Sequence, residues 1–373
     1  MSELAACTII TKNYLPYART LANSLAEYNP NITLYVLLAD RVDDYFDPSL
    51  ESFKFIYLED LSESKTIIQQ MCFYYTPMEL CCALRGLLHD YMFEKTNIEA
   101  WIFLDSDIMV FGSLNVIFDQ LAKTSILLTP HSVKPLENEY VDPCEINFLR
   151  SGLYNAGFLG LRRTDTSKKF VSWLKDRLRT FSFHDYANKD FVNRGLFADQ
   201  LWLNLVPLYF SKVELCLHPG ANLGHWNIFD RIFDKNDDGT ITVDREPVLF
   251  IHFSGWDIGN IDRVSKYGSS VQIAPPFWIE LSKPYRDSLL SNGYESFKNY
   301  PYAFNCFQNG EVISPEMRHK YYSYVLESNH IESPFSNQLY ERITSEIATT
   351  YSKATILTRG YNACRRIIKK LMK

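Results

Sequence analysis

Apolar and polar positions along this chain switch between two periods. Residues 5–10 and 34–38 are short, mainly apolar runs, the pattern of strands covered on both faces, and residues 53–58 read as a third strand. Between the first two, Tyr17, Leu21, Leu25 and Tyr28 recur at helical spacing, with Pro16 in the first turn where a missing N–H costs nothing. Thr76-Pro77-Met78-Glu79 has the form of a capping box with proline at the first helical position, which predicts a helix from there to about Phe93. Residues 100–104 follow as a strand. Further strands are expected at 125–129 and at 158–161, the latter preceded by Tyr154-Asn155-Ala156-Gly157. Helices are expected at 166–179 and 198–206, and residues 240–244 and 248–253 read as a hairpin or as neighbouring strands. Strands alternating with helices predict an α/β sheet whose ligand sites lie at the carboxyl ends of the strands. From about Leu281 the pattern changes. Pro, Tyr and Asn become dense as far as Gly310, and polar helical segments follow. The division expected is 1–280 as a catalytic unit and 281–373 as a mainly helical extension, with no internal repeats.

Composition narrows the function classes. A chain of 373 residues, 46% hydrophobic and 22% charged, suffices for a large core. The net charge of −6 supplies no basic field, so nucleic acid is not an expected partner. Eight cysteines without a C-x-x-C pair read as reduced thiols of a cytoplasmic protein. The first residues lack a basic stretch followed by an apolar core, and no apolar run is long enough to span a bilayer.

The chemistry concentrates at two strand ends. The strand at 100–104 runs into Asp105-Ser106-Asp107. Strand side chains alternate, so carboxylates two residues apart are expected to aim the same way. Two such oxygen ligands suit Mg²⁺ or Mn²⁺, which keeps open positions for the phosphates of a substrate. Alone, the pair also fits a phosphohydrolase of haloacid-dehalogenase type with Asp105 as nucleophile. Phe250-Ile251-His252-Phe253-Ser254-Gly255 places an imidazole at the end of an apolar strand. Alone, His252 reads as a core histidine; beside the two acids it becomes a third ligand. Asp234-x-Asn236-x-Asp238-Gly239 opens like a calcium loop, but Arg245 stands where the bidentate glutamate belongs, and a hairpin turn is the better reading.

Five segments now occur in a telling order: 8–18, 103–107, 154–158, Asp199-Gln200-Leu201-Trp202-Leu203-Asn204, and 252–255. Together they resemble the GT-A-fold nucleotide-sugar glycosyltransferases of the glycogenin and lipopolysaccharide galactosyltransferase group. The resemblance covers most of residues 5–257. It implies a Rossmann-like mixed sheet flanked by helices, and transfer of a sugar from a UDP-linked donor to a hydroxyl acceptor with retention of configuration. A glycan, a lipid-linked glycan or a protein would be the acceptor, in synthesis of surface polysaccharide or glycoconjugate. By the same resemblance Asp105, Asp107 and His252 would hold Mn²⁺ or Mg²⁺, with Asp105, Ser106 and Gly255 also near the donor. Thr11, Asn13 and Tyr14 would line the nucleotide pocket, Tyr14 stacking on the base, and Asp40 would reach the base. Arg85 would lie near the donor, Asn155, Ala156 and Gly157 would border the sugar, and Asp199 and Gln200 would face the anomeric carbon.

Local readings compete with several of these. Asp40 could cap a turn, Arg85 could pair with Glu79 or Asp90 at the surface, and Asp199-Gln200 could be a helix start favoured by the dipole. An idle glycan-binding protein on the same fold is a further alternative. Two departures from the group stand out: Leu201 replaces a second acid, and Trp256-Asp257 replaces a lysine-containing tail, for which Lys266 or Arg263 are the candidates to substitute. His218, His225 and Trp226 read as an acceptor-side loop, and His131 as a weaker candidate of the same kind. The stretch 359–373 alternates basic and apolar residues, which suits either a peripheral helix on the inner membrane face or a solvated helix.

Overall fold

The structure, a computed structural model, describes residues 3–184, 195–267, 274–327 and 333–349. It divides into two compact units, the described parts of 1–65 with 77–302 and of 66–76 with 303–373.

The first unit is built on strands β1 (Leu4–Ile10), β2 (Thr33–Leu38), β3 (Lys54–Tyr57), β4 (Ala100–Leu104), β5 (Ile108–Val110), β6 (Ile126–Pro130), β7 (Tyr154–Arg162) and β8 (Val213–Leu215). All but β5 join one sheet in the order β3-β2-β1-β4-β7-β6-β8. β1 is parallel to β2 and β4, whereas β7 runs antiparallel to both β4 and β6, so the sheet is mixed. Every residue of β4 is buried, as its unbroken apolar run requires. The helix α1 (Leu15–Tyr28) covers one face through Leu15, Ala18, Leu21, Ala22 and Leu25. Tyr28 lies outside that stripe and is 40% exposed.

Several elements differ from their sequence-based bounds. The helix expected from Pro77 to Phe93 is interrupted at Leu84; its second part, Arg85–Lys95, begins with Arg85. β7 starts at Tyr154, so Asn155, Ala156 and Gly157 lie inside a strand instead of ahead of one. The expected helix at 198–206 is a 3₁₀ turn, Gln200–Leu205, followed by Val206–Tyr209. Residues 240–253 do not form one hairpin. β10 (Ile241–Val243) pairs with β9 (Phe233–Lys235) and with β11 (Glu246–Pro247), while β12 (Phe250–His252) leaves to pair with β5. The turn at 234–239 is the hairpin expected, closed by Asn236 N–H donating to the Thr240 carbonyl at 2.9 Å.

The second unit packs the helix Pro315–Leu326 with residues 66–76. Arg318 is buried there and donates to the carbonyls of Phe73 (2.6 Å), Tyr75 (2.9 Å) and Phe304 (3.1 Å). The first two lie at the negative carboxyl end of the helix Lys65–Tyr74, where a cation is favoured. Cys7, Cys72, Cys81, Cys82, Cys144, Cys216 and Cys306 form no disulfide. Among the described residues no helix is long and apolar enough to cross a membrane. The stretch 359–373, with its two readings, lies outside the described residues.

Candidate active site

The two carboxylates owe their convergence to a turn, not to strand alternation. β4 ends at Leu104, and Ile108 N–H donates back to the Asp105 carbonyl at 3.1 Å, so 105–107 reverses the chain into β5. β12 then pairs antiparallel with β5, setting His252 opposite Ile108. Phe253 N–H closes the ladder on the Asp107 carbonyl at 2.9 Å. Backbone pairing thus carries the imidazole to the acids. His252 Nε2 lies 3.0 Å from Asp107 Oδ1 and 3.7 Å from Asp105 Oδ2.

One ligand atom from each of Asp105, Asp107 and His252 falls within 4.8 Å of the others. The imidazole is buried, while the Asp105 and Asp107 side chains keep 29% and 27% of their surface open. Burial disfavours a charged imidazole, yet Asp107, then Asp105, outweigh it and hold the His252 pKa up. A carboxylate pair facing a ring nitrogen demands positive charge between them. Two hard oxygens and one imidazole nitrogen, open on one side, fit Mn²⁺ or Mg²⁺.

Arg85 forms the other flank of Asp105. It is buried, not a surface partner of Glu79 or Asp90. Its guanidinium bonds Asp105 Oδ1, the Ala156 carbonyl and, at 2.7 Å, Asp199 Oδ2. The Phe103 ring lies 4.2 Å from the guanidinium carbon. Burial works against the guanidinium's charge, but Asp105 and Asp199 more than offset it and raise its pKa. Burial pushes the Asp199 carboxyl up, opposed by Arg85. Gln200 is clamped within the protein: Oε1 accepts from Ala156 N–H at 3.1 Å and Nε2 donates to the Ser151 carbonyl at 2.9 Å.

Behind His252 sits a buried amide network. Asn155 Oδ1 accepts from Gly157 N–H (3.0 Å) and Asn222 Nδ2 (3.1 Å), and lies 3.2 Å from His252 Nδ1. Asn155 Nδ2 lies 3.3 Å from His131 Nε2. Burial pushes the His131 pKa down to about 3. Gly157 is needed for packing: a Cβ there would stand 2.3 Å from His252 Cε1. The close approach it allows is to the imidazole ring.

The remaining candidates occupy the neighbouring strand ends. Thr11 is buried and donates to Asn13 Oδ1 at 2.6 Å. Tyr14 stays 42% exposed and stacks on Tyr17 at a centroid distance of 4.7 Å. Asp40 accepts from Lys12 N–H (3.2 Å) and Arg41 N–H (2.8 Å), so it caps the β2 exit, with Lys12 Nζ 3.8 Å away. Ser106 lies in the turn between the two acids. Gly255 takes φ +67° just after β12, and its carbonyl accepts from Lys266 N–H at 2.8 Å, returning Lys266 to that turn.

The segment 218–227 divides between a buried part and an outer part. His252 N–H donates to the Leu223 carbonyl at 2.7 Å, so the segment runs beside β12. Trp226 stands edge-on to His252 at 5.2 Å, and His225 lies against Trp226 and Tyr267. His218 turns towards Glu246, 3.8 Å away. Sequence reasoning missed Asn222, buried at φ +52°, and Cys82, a thiol beside Asp199 that favours its carboxylate form. A lone polar residue between Ala221 and Leu223 was the available signal for the first; nothing local marks the second.

The model of the family described as Glycosyl transferase family 8 matches residues 7–257. Two proteins of Bacillus subtilis (strain 168) are similar in sequence. The uncharacterized protein YfnF is 23% identical over 280 residues, 74% of this chain and 89% of its own. The uncharacterized protein YfnD is 25% identical over 262 residues, 69% of this chain and 79% of its own. Among solved structures, the galactosyltransferase LgtC, crystallised with donor and acceptor sugar analogs, aligns with a TM-score of 0.41 and 16% identity, over 66% of this chain and 86% of that one. The glycosyltransferase GlyE of Streptococcus pneumoniae TIGR4 aligns with a TM-score of 0.42 and 15% identity, over 83% and 67%.

Proposed function

The chain belongs to glycosyl transferase family 8, and on that premise we propose that it transfers a sugar from a UDP-linked donor to a hydroxyl acceptor, with Mn²⁺ or Mg²⁺ at Asp105, Asp107 and His252. The observation that carries this reading is the convergence of those three side chains, from a turn and a distant strand, on one open-sided point. The bound cation supplies positive charge against the negative charge that builds on the leaving diphosphate.

The chain's own residues do the rest. Tyr14, supported by Tyr17, offers a ring face for the base; Thr11, Asn13 and Asp40 shape the same end of the sheet. Lys266, whose backbone N–H returns to the Gly255 carbonyl, or Arg263 would meet the diphosphate in place of the missing tail lysine. Arg85 holds Asp105 and Asp199 on either side of one guanidinium and so fixes where both carboxylates stand. Asp199 and Gln200 lie against the sugar, and the clamp on Gln200 by Ala156 and Ser151 fixes where its carbonyl oxygen sits. Retention of configuration, catalysis by the first compact unit, and a cytoplasmic role in surface polysaccharide or glycoconjugate synthesis, with 359–373 at the inner membrane face, belong to the same proposal. A glycan, lipid-linked or protein hydroxyl would receive the sugar.

A panel of UDP-, GDP- and dTDP-sugars, incubated with the protein and Mn²⁺ or EDTA and analysed for free nucleotide, tests it. Release of UDP from a UDP-sugar, abolished by EDTA, is expected. Phosphate release from a simple monoester with no UDP formed would favour the phosphohydrolase. Glycan binding in EDTA without turnover of any nucleotide sugar would favour the idle binder.

A further inference from the structure

We infer that Asn155 is a positioning residue that assigns the ring protons of His252 and His131, and so turns His252 Nε2 into a ligand. This rests on the metal-site reading above. It goes beyond that reading by giving Asn155 a role through the imidazole, not through the sugar.

The orientation of the Asn155 amide follows from one unambiguous donor. A backbone N–H only donates, so the atom 3.0 Å from Gly157 N is the oxygen. The rest follows in sequence. Asn222 Nδ2 donates to the same oxygen at 3.1 Å. His252 Nδ1, 3.2 Å away, faces an acceptor and carries a proton. A neutral His252 ring then has its bare lone pair on Nε2, the nitrogen that faces Asp107 at 3.0 Å and Asp105 at 3.7 Å. On its far side Asn155 presents Nδ2, a donor, to His131 Nε2 at 3.3 Å. His131 Nε2 is therefore bare, and its proton sits on Nδ1. One carboxamide thus sets two imidazoles, and the His252 ring packs directly on Gly157. Phe148, stacked on the His131 ring at 5.1 Å, and Trp226, edge-on to it at 5.5 Å, hold the far ring in place. Partners that fix a ligating histidine's tautomer typically govern metal affinity by about 10–100-fold.

The test uses the full chain labelled with ¹⁵N-histidine, with and without Mg²⁺, together with Mn²⁺ binding followed by electron paramagnetic resonance. In the wild type, long-range ¹H–¹⁵N spectra should show His131 protonated on Nδ1. In Asn155→Asp, where a carboxylate oxygen replaces Nδ2, the His131 proton should move to Nε2, while Mn²⁺ affinity stays near wild type because the acceptor for His252 remains. Asn155→Leu, similar in size without an acceptor, should weaken Mn²⁺ by about 10–100-fold. The inference is overturned by a wild-type His131 protonated on Nε2, or by a folded Asn155→Leu that binds Mn²⁺ as wild type does. Failure of the wild type to bind Mn²⁺ overturns this inference with the metal-site reading on which it rests. Tight wild-type binding with an insensitive Asn155→Leu overturns the inference alone.

Discussion

Asp105 stands between two regions built on opposite electrostatic plans. Towards Asp199 the charges are buried and paired: the Asp199 and Arg85 side chains are 7% and 9% exposed, and one guanidinium serves both acids. Towards Asp107 the carboxylates are partly open and face a single imidazole. Taken together, Asp105, Asp107 and Asp199 set three carboxylates against one guanidinium, leaving two negative charges when His252 is neutral. The first region is complete in the protein alone. The second lacks a charge of the size a divalent cation carries. The contrast separates a buried, internally paired set of charges from a partly open acidic face, although both are built on aspartates.

Substitutions on the two flanks should therefore fail in different ways. The largest effect belongs to Asp107→Asn. It removes a ligand charge from the open flank, and UDP release should fall by about 10³-fold or more while the melting temperature holds. Activity within tenfold of wild type would show that the open flank is not a working metal site. Arg85→Met should instead unfold the protein more easily, by about 3–5 kcal/mol, since it leaves Asp199 buried without its partner. Urea denaturation measures this, and adding Asp199→Asn should restore much of the loss. An unchanged midpoint would refute the framework role. Gly157→Ala presses a methyl group on the His252 ring and should weaken Mn²⁺ binding by about 10–100-fold, the range for a disturbed ligand shell. Affinity equal to wild type would mean that the ring can shift without cost. Tyr14→Ala, outside both flanks, should raise the dissociation constant for UDP about tenfold through lost stacking, with Mn²⁺ affinity unaltered.

The two regions also differ in how far they could be read from sequence. The open flank was legible in part. An apolar strand followed by Asp105-x-Asp107 is a local pattern, and His252 ends a strand whose apolar run is equally plain. Their meeting was not written locally, because it depends on β5 and β12, three-residue strands far apart in the chain that pair with each other and not with the main sheet. The aim of the acids was expected from strand alternation and arises from a turn. The buried flank was less legible. Arg85 sits on a helix where a surface partner is the ordinary expectation, and its acids come from positions 105 and 199. Asn155 looked like loop residue because β7 begins four residues before the apolar run that marks it. Residues 66–76 carry no sign that they belong with the C-terminal unit, since a helix records which face is apolar and not what that face meets.

The central claim is that the open flank takes a divalent cation which the donor then shares. The most direct measurement is a titration of the wild type and Asp107→Asn with Mn²⁺, with and without UDP, following free Mn²⁺ by electron paramagnetic resonance. The account predicts about one Mn²⁺ per wild-type chain, bound more tightly when UDP is present, and little or none by Asp107→Asn. Tight UDP binding by the wild type that is indifferent to Mn²⁺, with no saturable Mn²⁺ site, would contradict it.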